Sequence, residues 1–164
     1  MIHMDKTGLF FEIRACATED IPSLLEMYDE FSPKGKFQGM PPKEKEMRDR
    51  WVRGLLKNGE NFLAWRDNKV VGHVVVLPDC NKSDAEYLIF VHQSDRGKGI
   101  GTALTKAIIK RAKALCIKII WLTVDAYNFR ATRLYKKCGF EFCDTCGSRF
   151  ERMMSYCYEI KNDS

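Results

Sequence analysis

A chain of 164 residues with 45% hydrophobic content can bury one core and is short for two ordinary domains, so a single domain over 1–164 is expected. No apolar run nears the ~20 residues of a bilayer-spanning helix, and the start at Met1–Lys6 lacks the charged-then-apolar layout of a secretory leader, which gives a cytoplasmic, non-membrane expectation. The net charge of +5, from 27 Lys and Arg against 22 Asp and Glu, is too mild to mark a nucleic-acid binder, and the aromatic-and-basic signature of common RNA modules is lacking.

Leu9 to Arg14 is a short apolar run that suits a first strand. Thr18, followed by Glu19, Asp20 and the spaced apolar set Ile21, Leu24, Leu25 and Tyr28, predicts a capped helix. The Ser-Pro, Gly-rich and Pro-Pro stretch from Phe31 to Pro42 cannot hold regular structure and predicts a loop long enough to shape a pocket. Helical spacing resumes from Lys43 to Lys57 through Met47, Trp51, Leu55 and Leu56. Phe62–Arg66 and Val70–Leu77 are β-rich runs joined by Asp67-Asn68-Lys69, residues that tolerate the positive φ of a tight hairpin.

Ala85–Val91 predicts a buried strand, Gly101–Leu115 an amphipathic helix and Ile117–Val124 another strand. Strand, helix, strand implies a parallel crossover. Ala131–Lys137 predicts a second helix closed by Gly139, after which Phe140–Phe142 and Met153–Ile160 predict a closing antiparallel pair. The seven cysteines are an odd number scattered through core-like segments, so they are read as reduced thiols. Cys143-x-x-Cys146 has no second close pair of Cys or His to complete a zinc site and is read as two thiols near a strand end. No metal is expected.

Arg96-Gly97-Lys98-Gly99-Ile100-Gly101-Thr102 lies directly between a strand and a helix. Glycines there let backbone N–H groups turn toward one point, the helix dipole adds positive potential, and Arg96 and Lys98 add formal charge. The segment predicts a diphosphate cradle. It is no Walker A loop, since no Lys-Ser or Lys-Thr follows at the required interval, and a dinucleotide fingerprint would place Thr102 or Leu104 at its last glycine.

Arg96-x-x-Gly99-x-Gly101 is similar to the Q/R-x-x-G-x-G/A signature of GNAT N-acetyltransferases. Asn128-Phe129-Arg130-Ala131-Thr132-Arg133-Leu134-Tyr135 through Gly139-Phe140 resembles that family's second motif. The opening segment from Ile13 is also similar, whereas 31–42 lies outside the resemblance, and Gln93 stands where many relatives carry Pro. The resemblance implies an α/β (α+β) GNAT fold: a mixed central sheet of about six to seven strands, a V-shaped splay between two parallel ones, and about four flanking helices. It implies acetyl-CoA as co-substrate, held by Phe90, Val91, Arg96, Gly97, Lys98, Gly99, Ile100, Gly101, Thr102, Asn128 and Tyr135.

The chemistry such a family performs is attack of a neutral amine on a thioester, and an alkyl amine with a pKa near ~10.4 must first lose a proton. The resemblance offers Glu86 as the base and Tyr135 as proton donor to the departing thiolate, with Asp125 or a water chain as substitute for Glu86. An oxyanion donor is expected from a backbone N–H near Phe90 or Val91, where the first parallel strand of such proteins bulges. The acceptor is expected to be a primary amine on a small molecule or peptide, with Asp29 and Glu30 biasing the channel toward cationic amines. Two copies could pair through the last strands into a homodimer. The alternative is a non-catalytic module that binds acyl-CoA as a regulatory ligand.

Overall fold

Apolar alternation resolves into one mixed sheet in the computed structural model, which describes residues 1–35 and 39–158, the side chains of 145 and 146 excepted. Its strands are β1 (Ile2–Met4), β2 (Phe10–Ala15), β3 (Glu60–Arg66), β4 (Lys69–Pro78), β5 (Asp84–Val91), β6 (Ile119–Asp125), β7 (Glu141–Gly147) and β8 (Glu151–Cys157). Their spatial order is β1-β2-β3-β4-β5-β6-β8-β7. Eight strands exceed the expected six to seven. The unforeseen one is β1, whose three residues pair with β2 from Ile2↔Glu12 to Met4↔Phe10, too short a run to show a period of its own.

Four α-helices cover the two faces: α1 (Ile21–Glu30), α2 (Lys45–Asn58), α3 (Ile100–Ala114) and α4 (Phe129–Lys137). Among the described residues no helix is long and apolar enough to cross a membrane. On one face Ile100, Leu104 and Ile108 of α3 pack on Val74, Val76, Tyr87, Leu122 and Phe140. On the other, Leu24 and Tyr28 of α1 and Val52 of α2 pack on Leu63 and Phe90. Leu104 and Ile108 are fully buried, which stabilises the fold by about 1.5–3 kcal/mol per side chain. A Cβ on Gly72 would meet Leu104 Cδ1 at 2.8 Å, so the glycine lets α3 settle onto β4.

The first helix starts differently from the expectation. Thr18–Asp20 is a short 3-10 turn, and α1 begins at Ile21. Asp20, rather than Thr18, ties the start, accepting the Ala17 N–H at 2.8 Å and pairing with both terminal nitrogens of Arg14 at 2.6 and 2.7 Å. The β3–β4 hairpin turns through Asp67 and Asn68 at φ 48° and 60°, as their tolerance of left-handed backbone predicts.

β5 and β6 are the parallel pair, and they share only the rungs Asp84↔Ile119, Ala85↔Ile120 and Glu86↔Trp121. Beyond Glu86, β5 continues along β4 as far as Gly72↔Val91, while β6 continues along β8 as far as Asp125↔Glu151. The two strands therefore part toward their C-terminal ends, which is the splay. The expected bulge in β5 is absent: its register with β4 runs without a shift from Pro78↔Ala85 to Gly72↔Val91. The irregularity lies instead between Ala64 and Trp65 in the β3–β4 pairing.

Candidate active site

The segment that joins β5 to α3 runs past the open end of the splay. Gly97 and Gly99 have φ values of +76° and +99°, where a side chain would be strained and glycine is not. This lets the backbone turn tightly into α3, which begins with Ile100. The first helical bond from this stretch is Ala103 N–H to Gly99 O at 3.2 Å. Among the described residues, the N–H groups from Gly97 through Thr102 donate to no protein acceptor. Gly97 is exposed and Lys98 and Gly99 are half-buried, so these donors gather at an accessible helix start, with the positive end of the α3 dipole behind them. Ile100 is 1% exposed and belongs to the core, so it contributes backbone only. A Cβ on Gly101 would meet Leu134 Cδ2 at 3.1 Å, so this glycine also serves the close approach of α3 and α4.

Glu86 occupies the last rung that β5 and β6 share. Strand alternation sends its side chain to the face of Leu88 and Phe90, beneath α1 and α2, and that of Tyr87 to the opposite face. Tyr87 meets Tyr135 of α4 edge-on, with ring centroids 5.7 Å apart. Glu86 and Tyr135 thus flank the gap from opposite faces of the sheet. Burial raises the carboxyl pKa of Glu86, and burial pushes the Tyr135 hydroxyl up to about 12. Asp125, the substitute base, is exposed, and its Oδ1 accepts the Tyr127 N–H at 2.8 Å in the turn before α4.

The ladder decides which backbone groups open into the gap. His92 N–H bonds to Val71 O at 2.9 Å. By antiparallel alternation Phe90 and Leu88 also direct their amides toward β4, whereas Val91 and Ile89 direct theirs toward the space that β6 vacates. Phe90 is 5% exposed and holds its ring among Tyr28, Phe31 and Trp51. Of the two expected backbone donors, only Val91 faces the gap, and Ile89 joins it.

The charges of the loop have specific partners. Arg96 Nε donates to Val91 O at 2.9 Å and Nη2 to Ser32 O at 2.5 Å, with its guanidinium over the Phe31 ring at 5.1 Å. Desolvation, then the nearby Arg130 charge, lowers its pKa. Lys98 Nζ lies 3.2 Å from Asp95. Asp95 is joined through Arg66 to Asp5, which accepts from Arg66 at 2.5 Å. The Thr7 hydroxyl first, then the Leu9 and Thr7 amides and Arg66, holds the Asp5 carboxyl well below the usual range. Lys6 N–H donates to Lys98 O at 3.0 Å, so the turn between β1 and β2 braces the glycine segment from outside. Asn128 caps α4, its Oδ1 accepting from Ala131 N–H at 3.1 Å, and Thr102 is half-buried in the first turn of α3.

Sequence reasoning missed Asp5, Arg66 and Asp95, because their partners stand 61 and 29 residues apart. It also gave Asp29 an acceptor-channel charge that the fold neutralises: Asp29 pairs with Lys45 at 2.9 Å and with the buried Arg48 at 2.5 Å. Glu30 is exposed, with its carboxylate 3.6 Å from His92 Nε2. Cys143 Sγ lies 3.4 Å from Ser155 Oγ, and the side chain of Cys146 is outside the described residues.

Residues 21–140 match the model of the Acetyltransferase (GNAT) family. An uncharacterized N-acetyltransferase of Methanocaldococcus jannaschii is 33% identical over 141 residues, which cover 80% of this chain and 61% of that protein. The chain therefore spans about three fifths of the length of that relative. The L-methionine sulfoximine/L-methionine sulfone acetyltransferase of Pseudomonas paraeruginosa is 24% identical over 136 residues, covering 79% of each. Among solved structures, the GNAT domain of S. lividans PAT superposes with a TM-score of 0.83 at 14% identity, over 96% of both chains. YncA from Salmonella typhimurium, solved with its cofactor acetyl-CoA, superposes with a TM-score of 0.73 at 17% identity, over 93% of this chain and 96% of that one. With a glycine-turned helix start beside two parted parallel strands and a family match over most of its length, this chain belongs to the GNAT acetyltransferase family.

Proposed function

We propose that this protein transfers the acetyl group of acetyl-CoA to a primary amine of a small molecule or peptide, by direct attack with both substrates bound. One observation carries the reading: the unpartnered N–H groups from Gly97 through Thr102 converge at the head of α3, beside the open end of the β5–β6 gap. Such a helix start is built for a diphosphate. The gap beside it leaves the inner edge of β5, at Ile89 and Val91, free to pair with an extended pantetheine arm.

In this reading the residues divide the work by face. Glu86 takes a proton from the amine, directly or through water, and its burial-raised pKa makes it a better base than an exposed carboxylate. The amine nitrogen forms a bond to the acetyl carbonyl carbon as the carbon–sulfur bond breaks. The carbonyl oxygen is met by an N–H of Val91 or Ile89, and Tyr135 returns a proton to the sulfur. Lys98, Asn128 and Thr102 line the cofactor side. Arg96 acts from behind the glycine segment, since two carbonyls already hold its guanidinium. No covalent enzyme intermediate is required. The Pseudomonas relative's substrates make α-amines of small amino-acid analogues the first acceptors to try.

Isothermal titration with acetyl-CoA is expected to show one-site binding, and a thiol-release screen over amines, polyamines and peptide N-termini is expected to find turnover. Absence of binding at millimolar acetyl-CoA would overturn the proposal. Binding without turnover on any amine would replace it with the regulatory acyl-CoA module.

A further inference from the structure

One set of contacts joins the glycine segment to a stretch of chain that the cofactor does not need. α1 ends at Glu30, and the chain leaves through Phe31, whose ring is 6% exposed between Tyr28 and Phe90. The side-chain amide of Gln93 then grips the backbone on both sides of Phe31. Its Nε2 donates to Glu30 O at 2.8 Å, and its Oε1 accepts from Ser32 N–H at 2.9 Å. Arg96 completes the grip by donating to Ser32 O at 2.5 Å, with its plane over the Phe31 ring. Both backbone groups of Ser32 are thereby held by residues 61 and 64 positions away.

We infer that Gln93 and Arg96 are positioning residues that latch the acceptor-side loop, entered at Ser32, to the cofactor segment, so that filling the cofactor site fixes the mouth of the amine site. The inference rests on the acetyltransferase reading. Its geometry is one-sided: the far end of the same loop is anchored to α2, where Arg48 donates to Pro42 O at 3.1 Å and Lys43 O at 2.7 Å. The two ends differ in kind. Arg48 is 5% exposed and forms a permanent anchor, whereas the three Gln93 and Arg96 bonds to residues 30–32 are exposed to water and open easily. Among the described residues Arg96 has no carboxylate partner, and the Arg130 charge presses on it. An anion bound on the adjoining amides would draw Arg96 into a fixed position and, through it, Ser32. The glutamine side chain supplies this grip in a way that proline could not. Gln93 begins a 3-10 turn, Gln93–Asp95, and its N–H donates to no group among the described residues, so proline fits the backbone there while deleting both bonds.

The test uses the full chain and coenzyme A itself as probe. Hydrogen–deuterium exchange of the peptide covering Phe31–Gly35 is followed with and without saturating coenzyme A, in wild type, Gln93→Ala and Gln93→Pro. Circular dichroism and thermal melting establish that each variant is folded, and titration measures its affinity for coenzyme A. Wild type is expected to slow exchange roughly five- to tenfold on loading, the usual size of a coupling between sites. Both variants are expected to bind coenzyme A within about threefold of wild type yet to show no such slowing. Equal slowing in wild type and variants, with binding intact, overturns the latch and leaves the acetyltransferase reading standing. Failure of wild type to bind coenzyme A overturns that reading and the latch together. Gln93→Glu, which keeps the acceptor for Ser32 N–H and loses the donor to Glu30 O, is expected to retain part of the slowing, a graded response that a merely misfolded loop would not give.

Discussion

Glu86 stands half-buried at the rung where β5 and β6 separate, and no protein donor among the described residues stabilises its charge. Replacing it with Gln keeps the shape and removes the basic oxygen, so kcat/KM for an accepted amine is expected to fall roughly 10²-fold, in the range of a single general base. The sign of the pH effect follows from the direction of the shift. A base must be deprotonated to act, and burial raises the pKa of this one. The rising limb of kcat/KM should therefore lie above the usual carboxylate range in wild type and vanish in Glu86→Gln. Tyr135→Phe is the complementary change: kcat is expected to drop about 10- to 100-fold while the KM for the acyl donor stays within a small factor. Pre-steady-state thiol release separates the two variants, because only the tyrosine serves the leaving group.

At the scale of elements, the β5–turn–α3 unit was legible because its signals are local. Glycines mark positive φ, an apolar strand precedes and an amphipathic helix follows, so both the loop and its context lie within one short window. Helix and strand ends were less legible. α4 begins at Phe129 rather than Ala131 because Asn128 caps it, and β8 begins at Glu151 because polar residues can complete a ladder whose partner, β6, is far off in sequence. The grip of Gln93 on Ser32, the neutralised Asp29 and the Asp5–Arg66–Asp95 brace were illegible for the same reason: each depends on residues that only the folded chain brings together. The glycine requirement at the loop is testable. Gly99→Val places a β-branched residue at φ +99°, a genuine outlier for that side chain. With a left-handed cost of about 1–2 kcal/mol, acetyl-CoA affinity measured by titration should weaken at least about tenfold, with a smaller loss of thermal stability.

The whole molecule carries a pH-dependent term away from the chemistry. His73 in the centre of β4 is fully buried. Its Nδ1 accepts from Tyr28 Oη at 2.7 Å, and its Nε2 donates to Asn61 Oδ1 at 2.8 Å, an assignment required because Asn61 Nδ2 donates to Leu55 O and Gly59 O. The imidazole is thus neutral, and burial lowers its pKa from 6.5 to about 3. Between those values the unfolded chain binds the proton and the folded chain does not. Stability is consequently complete above pH 6.5 and lost as pH falls toward 3, by about 1.4 kcal/mol per pH unit. Urea unfolding followed by tryptophan fluorescence at pH 7.5, 6 and 5 should show this slope, and His73→Phe should flatten it while lowering stability at pH 7.5, since the Tyr28 hydroxyl is left unpaired.

The sheet itself is the partition between the two chemical partners. Glu86 looks out through the α1–α2 side and Tyr135 through the α3–α4 side, with only the slit between β5 and β6 connecting them. Each reactant accordingly has its own doorway, and neither must leave for the other to arrive. An inhibitor built by tethering an amine to coenzyme A would have to be threaded through the slit like a bolt through a plate, so its tether, more than either end, would decide whether it seats.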